Sequence, residues 1–253
     1  MIASTKDKKK QKSQKKTENL FGSELNFAAK EAYKLLRTNL MFALSDTDET
    51  KGRIIGITSA LRGEGKSTTA LNLASVLAEQ GMKVLVIDGD LRLPSLHHKL
   101  KLRAKLGLSN VLISRTESRN YILEYEVGKI DGRPVCFDVL PAGEIPPNPS
   151  ELLGSRRMKD TLETLKTKYE FVLLDLPPIT AVSDALVVTK MVDGVVMVVR
   201  NEYSDTGSLN EAIRQLKQVD GKILGFVFTC ADGGRSGYRK KYKYRYYNYA
   251  EYK

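Results

Sequence analysis

Apolar residues in this chain gather into short continuous runs: Arg53–Thr58, Lys83–Asp88, Val135–Leu140, Phe171–Leu174, Gly194–Val199 and Ile223–Cys230. A strand that alternates apolar and polar residues has one wet face, whereas a run without alternation is what a sheet covered on both faces requires. Patterns of helical period fall between the runs, near Leu108–Ser114, Ser155–Lys168, Ser183–Val192 and Asp205–Val219, with another from Ser67 to Gln80 that Gly81 closes. Strands alternating with helices predict an α/β protein built on a doubly wound, mostly parallel sheet with right-handed crossovers. Ahead of this core, Ala28, Ala32, Leu35, Leu36, Leu40 and Phe42 recur at roughly helical spacing between Glu24 and Ala43, which predicts an amphipathic helix.

Both ends of the chain break the pattern. Lys6 to Lys16 is a Lys/Gln/Ser tract whose composition predicts disorder. At the other end Tyr238, Tyr242, Tyr244, Tyr246, Tyr247, Tyr249 and Tyr252 are spaced by Arg, Lys and Asn, with no aliphatic residue larger than Ala250. Rings so placed cannot be buried at period 2 or 3.6, so the segment reads as a solvated tail. Its phenols suit phosphate acceptors, nucleic-acid stacking groups or a docking arm. The Pro-rich stretch Pro141–Pro149 is expected to be a loop, too short to link two cores. With no internal repeat, the expected organisation is a basic tail over 1–20, one domain over 21–232 and a tyrosine-rich tail over 233–253.

Charge sharpens that division. The net charge of +11 lies in the tails: seven Lys against Asp7 and Glu18 leave residues 1–20 at +5, and seven Lys or Arg against Glu251 leave 233–253 at +6. The body between them is formally neutral, which argues against a nucleic-acid-binding face and assigns any acidic partner to the arms. Cys136 and Cys230 each sit within or at the end of an apolar stretch with no His or second Cys at metal-ligand spacing. Buried free thiols in a reducing cytosol are therefore expected. No apolar segment follows the charged N-terminus, so no signal peptide is expected. No stretch approaches the roughly 20 apolar residues of a membrane helix.

The chemistry concentrates after the first run. Ala60-Leu-Arg-Gly63-Glu64-Gly65-Lys66-Ser67-Thr68 lies between a predicted strand and a predicted helix and matches the phosphate-cradling P-loop, with Ala60 in place of the leading glycine. Gly63 and Gly65 allow the backbone to wrap a phosphate, the helix N-terminus offers unpaired N–H groups, Lys66 reaches the β and γ oxygens, and Ser67 can ligate magnesium. A glycine turn that only reverses the chain would not need the Gly-Lys-Ser core. Two further runs end in carboxylates, Asp88 and Asp90 in one and Asp175 in the other. In an open parallel sheet both sets reach the carboxyl edge beside the loop, where a metal–phosphate site wants hard oxygen ligands. His97 and His98 have no partner at a persuasive spacing and are expected to face solvent from a loop. Arg92 either contacts phosphate or pairs with Asp90.

Taken together, the loop at Ala60–Thr68, the motif Val86-Ile-Asp88-Gly-Asp90-Leu-Arg92 and the segment Leu173–Pro178 resemble the bacterial tyrosine kinases of capsule and exopolysaccharide operons. Glu31-Ala-Tyr-Lys34-Leu-Leu-Arg37, the loop with Pro147-Asn148-Pro149-Ser-Glu151 and the tyrosine-rich tail are similar to the same family. The resemblance runs from about residue 24 to the C-terminus. It implies a P-loop NTPase fold that uses ATP and Mg2+ to phosphorylate protein tyrosine, the tail of one subunit reaching a neighbour's site. On that basis Gly63, Glu64, Gly65, Lys66, Ser67 and Thr68 bind ATP, Ser67, Asp90 and Asp175 hold the metal, and Asp88 is the base for the phenol. Lys66, Asp88, Asp90 and Asp175 form the catalytic set, and the seven tail tyrosines are the phosphorylation sites. Glu31, Lys34 and Arg37 would line the interface of a homo-oligomer, a ring among the possible forms. Lys34 stands where the family usually has Arg, which removes bidentate geometry and weakens that contact; Arg62 stands where Pro is common, with little expected effect. The Gram-positive form implies a cytoplasmic chain peripheral to the membrane, activated by a membrane-embedded partner of the polysaccharide co-polymerase type and reset by a cognate protein-tyrosine phosphatase. Nucleic acid is not an expected partner.

Two other classes compete. Partition and septum-placement ATPases of the MinD/ParA group share the fold and motif order, but carry a signature Lys five residues before the loop Lys, where this chain has Leu61. An adaptor with stacking tyrosines and basic arms would leave a complete nucleotide site unused. The Lys tract could still hold the chain near anionic lipid at about 1 kcal/mol per basic residue.

Overall fold

The computed structural model describes Gly22 and residues 25–45, 52–114 and 117–231. The N-terminal tract 1–20, the tail 233–253 with its seven tyrosines, and both domain boundaries drawn at them lie outside the described residues. Seven strands form one sheet in the order β3-β4-β2-β5-β1-β6-β7: β1 (Arg53–Ser59), β2 (Val84–Asp88), β3 (Leu123–Ile130), β4 (Arg133–Leu140), β5 (Phe171–Asp175), β6 (Gly194–Arg200) and β7 (Ile223–Thr229). Every pairing is parallel except β3 with β4.

The continuous apolar runs are strands as predicted, and burial explains the composition of the interior ones, while the edge strand β7 has no fully buried residue. All of β2 and β5, and Gly194–Val199 of β6, are buried, so no position along them is left for a polar residue to meet water. One face of the sheet packs against helix α2 (Lys66–Ala78), in which every residue from Thr69 to Ala78 is buried. That helix lies beneath helix α1 (Phe27–Ala43), which starts at an Asn26 cap whose side chain accepts from the Ala29 N–H at 2.9 Å. Of the apolar stripe predicted for α1, Leu40 is buried and Leu36 packs against the core, while Leu35 and Phe42 remain exposed.

Short helices follow: α3 (Leu96–Lys99), α4 (Leu108–Ser114), α5 (Pro149–Leu153), α6 (Arg156–Lys166), α7 (Asp184–Val188) and α8 (Thr206–Gln218). From α4 to α8 they cover the second face, where Leu108, Leu153, Leu162, Ala185 and Leu216 join one apolar cluster with the strand residues Leu85, Val172 and Met197.

Four expectations change. The antiparallel edge strand β3 was not predicted, although Leu123-Glu-Tyr-Glu-Val127 alternates at period 2 with a half-wet burial pattern, and the left-handed Asp131 and Gly132 form the tight hairpin turn to β4. Pro149, expected at the end of a loop, opens α5, the position where a missing N–H costs a helix nothing. His97 and His98 belong to α3 rather than to a loop, and of the two only His98 is exposed. Cys136 is half-buried and Cys230 is exposed, because the edge strand β7 ends before it and the chain turns there through a left-handed φ of 52°.

Candidate active site

The P-loop leaves the carboxyl end of β1, an interior strand flanked by β5 and β6. Gly63 and Gly65 take φ values of 82° and 100°, in the left-handed region that favours glycine, and a Cβ on Gly65 would sit 3.2 Å from the Thr229 methyl. Glu64 turns away from the loop's open side and is fully buried; its carboxylate accepts from the Leu61 N–H at 2.7 Å and from the Ser204 hydroxyl. Lys66 is only 8% exposed.

Strand order brings the predicted carboxylates to this loop. Asp88 and Asp175 are direct partners in the β2–β5 register, and the Gly89 N–H donates to the Asp175 carbonyl at 2.9 Å. One oxygen of Asp88 accepts from the Ser95 and Leu96 N–H groups, both at 3.0 Å. Its other oxygen, and Oδ1 of Asp175, are buried without a hydrogen-bond partner. Burial, and then the Asp175 charge beside it, hold the Asp88 carboxyl well above the ordinary carboxylate range, against the pull of those two N–H groups. Burial also raises Asp175, opposed by Lys66 and the Ser67 hydroxyl. Asp90 is raised by burial as well, and its side chain accepts from the Leu93 N–H at 3.0 Å. The Ser67 and Ser95 hydroxyls lie 2.9 Å apart.

This donor set fits a magnesium-bound nucleotide: two carboxylates with buried free oxygens, a hydroxyl, an ammonium and a glycine-lined loop. Among the described residues no three His, Cys, Asp or Glu side chains could hold a metal by themselves. An ion here would take further ligands from phosphate oxygens and water, as magnesium commonly does.

Arg92 forms its ion pair with Asp184 rather than with Asp90. Its guanidinium pairs with the fully buried Asp184, at 2.8 and 3.1 Å, and reaches the Ser150 hydroxyl at 3.1 Å. Sequence gave no signal for this pairing across 92 positions. Of the predicted oligomer residues, Lys34 pairs with Glu31 on α1 at 2.8 Å and Arg37 donates to the Val76 carbonyl of α2 at 2.9 Å.

The fold and loop define a P-loop ATPase, and the comparisons agree. A family model described as an AAA domain matches residues 52–224. Tyrosine-protein kinase YwqD of Bacillus subtilis (strain 168) is 39% identical over 199 residues, 79% of this chain and 80% of that protein. Tyrosine-protein kinase etk of Escherichia coli (strain K12) is 36% identical over 202 residues, 80% of this chain but 26% of its own longer one. The solved kinase domain of E. coli ETK superposes with a TM-score of 0.74 at 33% identity, covering 93% of this chain and 91% of that domain. The septum site-determining protein MinD of Pyrococcus horikoshii, complexed with Mg-ADP, is more distant in shape, with a TM-score of 0.57 at 28% identity over 74% of this chain and 72% of its own. The chain belongs to the bacterial tyrosine-protein kinases, in the form whose Gram-positive member YwqD it matches over most of both lengths.

Proposed function

We propose that this protein-tyrosine kinase moves the γ-phosphoryl group of ATP onto Tyr238, Tyr242, Tyr244, Tyr246, Tyr247, Tyr249 and Tyr252 of a neighbouring copy, and thereby regulates capsular or exopolysaccharide polymerisation and export. The observation that carries the reading is the side-by-side pair Asp88 and Asp175, each with one buried oxygen free, beside Ser67 and Lys66. In this scheme the amides of Gly63, Glu64, Gly65 and Thr68 cradle the phosphates, and Lys66 neutralises the β and γ oxygens. Ser67, Asp90 and Asp175 hold Mg2+ directly or through water, and the ion when bound screens the charge of the phosphates.

Asp88 takes the phenolic proton. Its raised proton affinity makes its ionised form a stronger base than an ordinary carboxylate. The phenol oxygen bonds to the γ phosphorus, the bond to the β–γ bridging oxygen breaks, and ADP leaves.

The proposal extends to assembly and place. Glu31, Lys34 and Arg37 contribute to contacts in a homo-oligomer, a membrane-embedded activator of the co-polymerase type holds the chain at the cytoplasmic face, and a protein-tyrosine phosphatase reverses the modification. No described helix is long and apolar enough to cross a membrane. The test is intact mass before and after phosphatase treatment, with the losses mapped by peptide. A Lys66→Met chain with its tail intact is then mixed with an active chain whose seven tail tyrosines are Phe. Label on the inactive chain is expected; its absence at full activity of the partner would defeat modification in trans.

A further inference from the structure

Three consecutive carbonyls of the P-loop are tied from behind by side chains remote in sequence. The Tyr203 hydroxyl donates to the Arg62 carbonyl at 3.0 Å, the Arg200 guanidinium to the Gly63 carbonyl at 3.1 Å and the Thr229 hydroxyl to the Glu64 carbonyl at 2.7 Å. In a planar trans peptide the N–H points opposite to the carbonyl. These struts therefore keep the amides of residues 63, 64 and 65 aimed at the phosphate side.

One of the struts is itself a tyrosine. Tyr33, Tyr121, Tyr125 and Tyr169 are partly buried, and Tyr169 is bonded to Asp138 at 2.7 Å. Tyr203 is the exposed one among the described tyrosines, at 51%. It sits in the turn after β6 with the Arg200 guanidinium 5.1 Å from its ring centre.

We propose that Tyr203 is a phosphate-acceptor site of this kinase, and that its modification dismantles the struts and weakens nucleotide binding. The inference rests on the tyrosine-kinase reading of the site. Because Tyr203 hangs on the carbonyl side of its own loop, opposite the phosphate-facing amides, the donor is ATP bound to a second copy. A bond forms between the phenol oxygen and the γ phosphorus, the bond to the β–γ bridging oxygen breaks, ADP leaves, and the phenolic proton passes to the donor copy's base.

Modification has two effects on the loop. The phenol loses the hydrogen it donates to the Arg62 carbonyl. It also gains a group of charge about −1.5 to −2, whose oxygens offer Arg200 paired bonds to an anion in place of one bond to the uncharged Gly63 carbonyl. Two of the three struts are released, and negative charge is added beside a site built for phosphates.

The acceptor is a full-length chain carrying Lys66→Met and Phe at all seven tail tyrosines, incubated with the active wild-type chain, ATP and Mg2+. Peptide mapping is expected to place phosphate on Tyr203, and Tyr203→Phe in the same background to remove it. A labelled wild-type tail with no label at Tyr203 would overturn the proposal and leave the kinase reading standing. No label on either chain would instead remove the kinase reading.

The second arm titrates ADP and Mg2+ into chains with intact Lys66 and Phe at all seven tail tyrosines. Loss of the single bond in Tyr203→Phe is expected to weaken binding roughly two- to tenfold. Phosphorylation at Tyr203 is expected to weaken it by about tenfold or more, and unchanged affinity in the phosphorylated chain would overturn the switch.

Discussion

The two ends of the sheet treat their carboxylates in opposite ways. At the amino end of the strands, Asp193 accepts from the Ile54 N–H at 2.7 Å and takes both of its ionic contacts from Lys166, at 2.7 and 3.0 Å. Glu170 caps the Lys83 N–H at 2.8 Å beside it. At the carboxyl end, Asp88 and Asp175 face one another with an oxygen each left unpartnered. A buried charge with full hydrogen bonding can support the fold, while one without it opposes folding and persists where a ligand completes it. The same residue type is therefore structural at one edge and held ready for chemistry at the other.

The largest expected effect breaks the chemistry without touching the fold. Lys66→Met keeps the stem volume and removes the loop's ammonium, so tyrosine phosphorylation should fall by a factor on the order of 10³ or more, as for loss of a charge that stabilises phosphoryl transfer. Radiolabel transfer measures the loss, and an unchanged circular dichroism spectrum checks the fold. Wild-type labelling in this variant would remove the loop from the mechanism.

Asp193→Ala should do the reverse. It strands the Ile54 N–H and the Lys166 ammonium, both poorly exposed, and is expected to lower stability by about 2–3 kcal/mol in urea unfolding while the folded protein keeps its turnover number. Equal stability in the two proteins would show that the amino-end network contributes nothing.

Asp88→Asn sharpens the contrast on a smaller scale. The amide keeps an acceptor for the Ser95 and Leu96 N–H groups and offers an N–H toward Asp175, so stability at neutral pH should rise by about 1 kcal/mol even as phosphoryl transfer slows by about 10²-fold or more. A fall in stability would place Asp88 with the structural carboxylates.

The pH dependence of that gain is the finest test. The folded-state pKa of Asp88 is raised above the ordinary 3.8, so both states are protonated at low pH and ionisation opposes folding only as pH climbs above the unfolded value. The stabilisation by Asp88→Asn should be smallest near about pH 4 and grow until pH passes the raised folded value. A gain that is constant with pH would mean that it does not come from the carboxylate's charge.

Much of this was legible in one dimension. The buried parallel strands announce themselves as continuous apolar runs because both faces are covered, and the loop from Ala60 to Thr68 carries its chemistry in neighbouring residues. The edge hairpin was legible too, through the alternation at Leu123–Val127 and the Asp131-Gly132 turn, but eight residues of which none is fully buried give a weaker signal than a core strand. Cys230 shows the converse: an apolar run predicts burial, and an edge position withholds it.

By itself, then, the sequence determined the core strands and main helices, the phosphate loop, the two strand-end carboxylate motifs and the separation of a neutral body from two basic ends, the C-terminal one bearing the tyrosines. Each depends on residues close together along the chain, where propensity, period and spacing act directly. Only the tertiary structure decided that Asp88 meets Asp175, that Arg92 pairs with Asp184 rather than with Asp90, and that Arg200, Tyr203 and Thr229 brace the loop from behind. These contacts follow from strand order, which places β5 between β1 and β2 and brings the ends of β6 and β7 to the loop. That order is set by the joint packing of two sheet faces, which no local stretch of sequence encodes.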